Sequence, residues 1–152
     1  MKIRVLIDPD RDEEVLIYAH SASPQLRRLQ EAIEKALSHQ DAIAVKKGAS
    51  EVFLDCFEIL FAETSGDRLW VHTATDVYQC PLRLYELEER LPRGFARASK
   101  SCLVNASLIF ALFRSPSGVG EARFSGSEKR VFISRRYYKG IRDKIAEMRL
   151  EA

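Results

Sequence analysis

Near the C-terminus, "SRRYYKGIRDKI" sets Arg135 and Arg136 directly after Ser134, a residue type that caps helices. Two guanidiniums fixed at a helix start can meet phosphate or the edge of a base, because the planar fork donates two parallel hydrogen bonds. Ordinary solvated charge is the alternative. Other chemistries find no constellation. His20, His39 and His72 have neither a second histidine nor a cysteine at zinc-site spacing, and Cys56, Cys80 and Cys102 contain no CxxC pair, so no metal or other cofactor is expected. The chain has no G-x-x-x-x-G-K-[ST] phosphate loop, no G-x-G-x-x-G after a strand and no G-x-S-x-G elbow. Cys102 in "SKSCLVN" stands near a lysine that would lower a thiol's pKa, yet its alternating apolar surroundings fit a buried structural cysteine better. His72, in line with Trp70 and Val71, is expected to be a satisfied sheet histidine. The acidic group Asp8, Asp10, Asp12, Glu13 and Glu14 is expected to be a solvated turn, since about forty residues precede the β region, too few for the α/β domain that gathers a magnesium pocket. No enzyme is expected.

The charge is unevenly placed. Residues 1–91 hold 11 Lys+Arg against 17 Asp+Glu, a balance of −6, and residues 92–152 hold 13 against 5, a balance of +8. One end of the molecule is therefore expected to face a polyanion, a solvated basic face being the alternative. With 152 residues, 46 % apolar and 30 % charged, the chain has the composition of one globular domain with a small extension. No apolar run reaches the roughly 18–20 residues of a membrane span, and acid follows "MKIRVLI" too soon for a signal peptide. Three scattered cysteines fit reduced thiols, so a cytoplasmic location is expected.

The elements that must position these charges are short. "KIRVLI" and "EVLIYAH" read as strands of a hairpin about the turn "DPDRDE". Ser23 and Pro24 then open an amphipathic helix with Leu26, Leu29, Ile33 and Leu37 on one face, and "HQDA" marks the boundary at which helical periodicity gives way to alternation. Beyond it, "IAVKKG", "EVFLD", "EILFAET", "RLWVHTA" and "VYQCP" predict an antiparallel meander with turns at "KKGAS", "TSGD" and "TATD". "LRLYELEERL" predicts a helix across the sheet, stopped by Pro92. "FARAS", "IFALFRS", "EARFSG" and "RVFIS" predict further strands, with "SPSGVG" a loop. The last helix buries Tyr138, Ile141, Ile145 and Met148 and leaves Arg135, Arg136, Lys139 and Arg142 at or near solvent.

Three stretches carry a family likeness: "EILFAETSGDRLWVHT", "FARASKSCLVNASLI" and "VFISRRYYKGI". Together, over about Ile43 to Ile145, they resemble the LytTR DNA-binding domain of bacterial transcriptional regulators. The resemblance implies a fold that is mainly β with α elements, small antiparallel sheets with flanking helices, and double-stranded DNA read in successive major grooves by loops while the duplex bends. Carried over by motif, the contacts are Asp67 and Arg68 in the turn after Glu63, Ser99 and Lys100 between Arg97 and Cys102, and Arg136 after Ser134. The arginine fork and Lys100 suit the guanine O6/N7 edge, whereas Arg97, Arg135, Lys139 and Arg142 suit phosphate. Asp67 would repel phosphate, so Arg68 is the stronger candidate of its turn. Arg97 has a second reading, as a brace paired with Glu63 or another carboxylate. Ser101 and Asn105 are expected to tie local backbone rather than read bases.

The expected organisation is an N-terminal hairpin-and-helix extension over 1–40, a homodimer contact through its apolar stripe, and a LytTR-like domain over 41–152. Family members commonly follow a phosphorylatable receiver domain, which forty residues cannot hold. Resemblance alone also suggests a small membrane-protein partner. Two other classes compete: a cytoplasmic β-rich ligand-binding or protein-interaction module, and an RNA-binding module stacking bases on Tyr137 and Tyr138.

Overall fold

Short apolar-rich segments punctuated by turn residues follow one another from Ile43 onward, and the computed structural model, which describes residues 2–12, 14–37 and 42–151, resolves them into ten strands. The chain divides into two units, Met1–Leu37 and Ser38–Ala152.

In the first unit, helix α1 (Pro24–Leu37) begins as its sequence dictates. Ser23 Oγ accepts from the Leu26 amide at 3.1 Å, and Pro24 fills the first helical position, where no amide is needed. The acidic turn also forms, with the Asp10 amide donating to Asp8 Oδ1 at 3.1 Å. The hairpin expected from "KIRVLI" and "EVLIYAH" does not: the described residues ahead of α1 contain no strand. A lone two-stranded ribbon is marginal without a face to bury against, and Ile3, Leu6, Ile7 and Tyr18 are each at least 90 % exposed. The boundary expected at "HQDA" lies, apart from Ala42, outside the described residues.

The second unit contains strands β1 (Ala42–Lys47), β2 (Ser50–Asp55), β3 (Phe61–Ser65), β4 (Arg68–His72) and β5 (Val77–Cys80), then helix α2 (Leu84–Arg90). After α2 come β6 (Phe95–Ser99), β7 (Cys102–Asn105), β8 (Ile109–Arg114), β9 (Gly120–Phe124), β10 (Arg130–Ile133) and helix α3 (Arg135–Glu151). Seven strands form one antiparallel sheet in the order β2-β1-β5-β4-β3-β7-β6, and the other three form a second, β10-β9-β8. The expected meander holds for β3-β4-β5 and is broken at β1, which pairs with both β2 and β5. β7 was not foreseen as a strand. Both of its faces meet a core, so its short run lacks the polar alternation that marks a strand.

Each face of the large sheet carries its own core. On one face Ala62, Leu69, Val71 and Leu103 meet Leu84, Leu87 and Leu91 of the α2 segment, as expected for a helix lying across a sheet. On the other, Phe61, Cys102, Val104 and Ala98 meet Ala122, Phe124 and Ile133 of the small sheet and Tyr138 and Ile141 of α3. Because side chains alternate across β3 and β7, each strand serves both cores. This fixes the edge at which their turns emerge.

Candidate nucleic-acid interface

The β3–β4 hairpin turns on two residues, Gly66 and Asp67, with Ser65 facing Arg68 across the ladder. Gly66 has φ +65° while Asp67, like every other described non-glycine residue, does not have positive φ, so the turn takes the form that wants glycine first. Asp67 and Arg68 are exposed at its tip.

β6 and β7 form a second two-residue hairpin about Lys100 and Ser101, with Ser99 facing Cys102. Ser99 Oγ accepts from the Ser101 amide at 3.2 Å, a local tie that tightens the turn. Arg97 completes it. Its Nε donates to Glu88 Oε2 at 2.6 Å and its Nη1 donates to the carbonyl of Lys100 at 2.7 Å. The guanidinium thus holds the turn from beneath while α2 holds the guanidinium. Lys100 is exposed.

α3 supplies the third segment. Ser134 precedes it, and the amides of Tyr137 and Tyr138 both donate to the Ser134 carbonyl, at 3.0 and 3.1 Å. Arg136 is exposed, its guanidinium carbon 5.8 Å from the centre of the Tyr137 ring. Arg135, Lys139 and Arg142 are also exposed and recur at i, i+4 and i+7, one ridge of the helix. Tyr138 and Ile141, on the flanking face, are buried.

Two backbone hydrogen bonds join the three segments. The Thr64 amide donates to the Ser101 carbonyl at 2.9 Å, tying the β3–β4 turn to the β6–β7 turn, and the Ser134 amide donates to the Ala98 carbonyl at 2.9 Å, tying the start of α3 to the end of β6. β4, β3, β7 and β6 are consecutive neighbours, so the two hairpin tips stand two strand spacings apart, about 10 Å. A major groove is about 12 Å wide, so both tips are within reach of one duplex. Among the described residues, Arg68, Lys100, Arg135, Arg136, Lys139 and Arg142 form no ion pair with a carboxylate.

Glu63, considered as the partner of Arg97, instead meets His72 Nε2 at 3.0 Å, because Glu63 and His72 lie on the same face of the β3–β4 ladder. Arg97 takes another carboxylate, Glu88. Glu88 was not singled out in the sequence, although its place one turn past Leu84 on a helix crossing the sheet put it within reach. His72 also stacks on Phe61 at 4.1 Å between ring centres and has Lys129 Nζ 3.5 Å from Nδ1. Burial, and then Lys129, push its pKa below the ordinary histidine range, opposed by Glu63. Asn105, 1 % exposed, caps the turn that follows it, accepting from the Ser107 amide at 3.1 Å, and donates to the Ile59 carbonyl at 3.0 Å. Cys56, Cys80 and Cys102 are buried and free of disulfides. Burial and the nearby Glu63 raise the Cys102 thiol to about 12, against a smaller opposing effect of Arg97. The thiol is no nucleophile at neutral pH.

Residues 50–146 match the family model of the LytTr DNA-binding domain. Two relatives from Staphylococcus aureus, strains NCTC 8325 and COL, each described as an uncharacterized HTH-type transcriptional regulator, are 36 % identical over 74 residues. That stretch covers 49 % of this chain, which spans 50 % of either relative. Among solved structures, a LytTr DNA-binding domain from Bacillus cereus superimposes with a TM-score of 0.63 at 19 % identity, over 69 % of this chain and 96 % of that one. No described helix is long and apolar enough to cross a membrane.

Proposed function

Since the chain belongs to the LytTR DNA-binding domain family, we propose that it is a cytoplasmic, sequence-specific transcriptional regulator that reads the major groove of double-stranded DNA with loop residues. Arg68, Lys100 and Arg136 are the base readers. Arg135, Lys139 and Arg142 hold phosphate and set register, since they share one ridge of α3, whereas Arg68 and Lys100 stand at turn tips and Arg136 points off that ridge at the helix start. Ser99 shapes the Lys100 turn, and Asp67 serves best against a base amino group, since its charge repels phosphate. Arg97 is a brace.

The observation that carries this reading is the pair of backbone hydrogen bonds, Thr64 to Ser101 and Ser134 to Ala98, which hold three segments side by side whose Arg68, Lys100 and Arg136 have no carboxylate partners among the described residues. Gathering unpaired cations costs repulsion that a polyanion relieves. Selection of bound duplexes from a random library at two salt concentrations tests it. An enriched motif that persists at the higher salt supports the reading; recovery of unselected sequence at both salts removes the claim to specificity.

The N-terminal residues 1–40 serve as a homodimer contact in the same proposal. Leu26, Leu29 and Ile33 of α1 are each half-exposed, and two copies would gain affinity on adjacent half-sites through effective concentration. Sedimentation of a chain lacking residues 1–40 distinguishes the cases: a dimeric full chain that becomes a monomer supports the dimer contact, and an unchanged number of copies per particle ends it. A small membrane protein is the proposed source of the signal, on family likeness alone.

A further inference from the structure

β8 ends at Arg114 and β9 begins at Gly120, and the loop between them closes on itself. The Ser115 amide donates to the Val119 carbonyl at 2.9 Å, and the Gly118 amide to the Ser115 carbonyl at 2.9 Å. This loop lies directly against the first turn of α3. A Cβ built on Gly118 would stand 2.9 Å from Arg135 Cδ and 3.9 Å from Arg114 Nη2, and one on Gly120 would stand 2.3 Å from the Tyr138 ring. Gly118 has φ +92°, a conformation other residues rarely adopt, so a side chain there is strained and would also have to displace Arg135. Arg114 and Arg135 therefore bracket one bare stretch of backbone.

Arg114 is exposed and sits with its guanidinium carbon 4.8 Å from the centre of the Tyr138 ring. A stacked guanidinium is held by its face while its donating edge stays open, which suits a phosphate oxygen. Neither arginine has a carboxylate partner among the described residues. Beside them, the hydroxyls of Ser115 and Ser117 lie 2.6 Å apart, further donors of the kind that meet phosphate. Two like charges drawn to one glycine without a counter-ion repel each other, and an anion between or beside them relieves that.

We propose that the Ser115–Val119 loop is a fourth contact segment of the interface, in which Arg114 joins Arg135 on backbone phosphates of the duplex, next to Arg136. The proposal rests on the DNA-binding reading above and adds a segment that lies in the chain between the second hairpin tip and α3. It assigns Arg114 to affinity and register, with no part in base choice.

The test is the salt dependence of binding to the selected duplex and to an unrelated one, for the unaltered chain, Arg114→Gln and Arg114→Lys. Arg114→Gln is expected to weaken both duplexes by the same factor and to flatten log Kobs against log salt by about 0.9. Arg114→Lys, which keeps the charge, is expected to keep the slope. If Arg114→Gln fails to fold, Arg114→Met, which keeps a long apolar stem over the Tyr138 ring, is expected to give the same flattening. An unaltered slope in these uncharged variants overturns the fourth segment while leaving the DNA reading intact. Failure of the unaltered chain to bind any duplex overturns both.

Discussion

Arg97 offers the sharpest separation between holding the interface and belonging to it. Its side chain is 25 % exposed and that of Glu88 44 %, and its two hydrogen bonds run to a helix carboxylate and to the carbonyl of the Lys100 turn. Arg97→Met keeps the apolar stem and removes both. A part-exposed ion pair is worth about 0.2–1 kcal/mol and a charge-assisted hydrogen bond about 1.5–3 kcal/mol, so screening at this exposure leaves about 1–3 kcal/mol at stake. Only part of that is felt in binding, through the fraction of molecules whose turn stays closed, so affinity for the selected duplex is expected to fall by up to about tenfold. The salt slope should not change, because no phosphate contact has been lost. Glu88→Gln should weaken binding in the same direction, and the double variant should cost less than the sum of the two, since both act through one contact. Fluorescence anisotropy over a salt series, with urea unfolding alongside, reads all of these. The brace is refuted if Arg97→Met flattens the slope by about 0.9 and Glu88→Gln tightens binding, as would follow if Glu88 merely competed with phosphate for Arg97.

Three further outcomes follow from the buried polar groups. Asn105→Ala should destabilise the fold by about 2–5 kcal/mol in urea unfolding, because it strands the buried Ile59 carbonyl and uncaps Ser107. His72 should titrate below 6.5 by NMR. Its folded-state pKa is depressed, so its stabilising contribution is complete above the unfolded value near 6.5 and is lost as pH falls through the folded value, and His72→Phe should flatten that limb of the stability profile. Cys102 should resist a thiol reagent at pH 8 until the chain is unfolded, given its burial and a pKa of about 12.

Local rules made much of this structure legible. Ser23 with Pro24, Pro92, the glycine of "TSGD" and the alternation of "RLWVH" each act within a few residues, and the elements formed where those signals lay. What depends on distant partners was not legible. The ladder between β1 and β5, joined at Lys46 and Gln79, has no local mark, and β7 is buried on both faces because each face of the sheet there meets its own core. The local tie of Asn105 to Ser107 was foreseeable from its type, whereas its bond to Ile59, 46 residues away, was not. The N-terminal hairpin shows the converse error. Alternation in "KIRVLI" and "EVLIYAH" favours strands, but nothing in a local pattern supplies the buried face that two strands need.

At the interface the same division applies. The motifs named Arg68, Lys100 and Arg136, and the sheet order explains why residues so far apart in the chain share an edge. Arg114 carried no motif; only the approach of Gly118 and Gly120 to α3 brings it there.

The most direct measurement is a base-substitution scan of the selected site against Arg68→Ala, Lys100→Ala and Arg136→Ala. Each variant is expected to lose about 1–3 kcal/mol on the selected site and to become indifferent to substitution at one position, a different one for each residue. Equal losses on every sequence, with all base preferences retained, would contradict the central claim that these three residues read bases together.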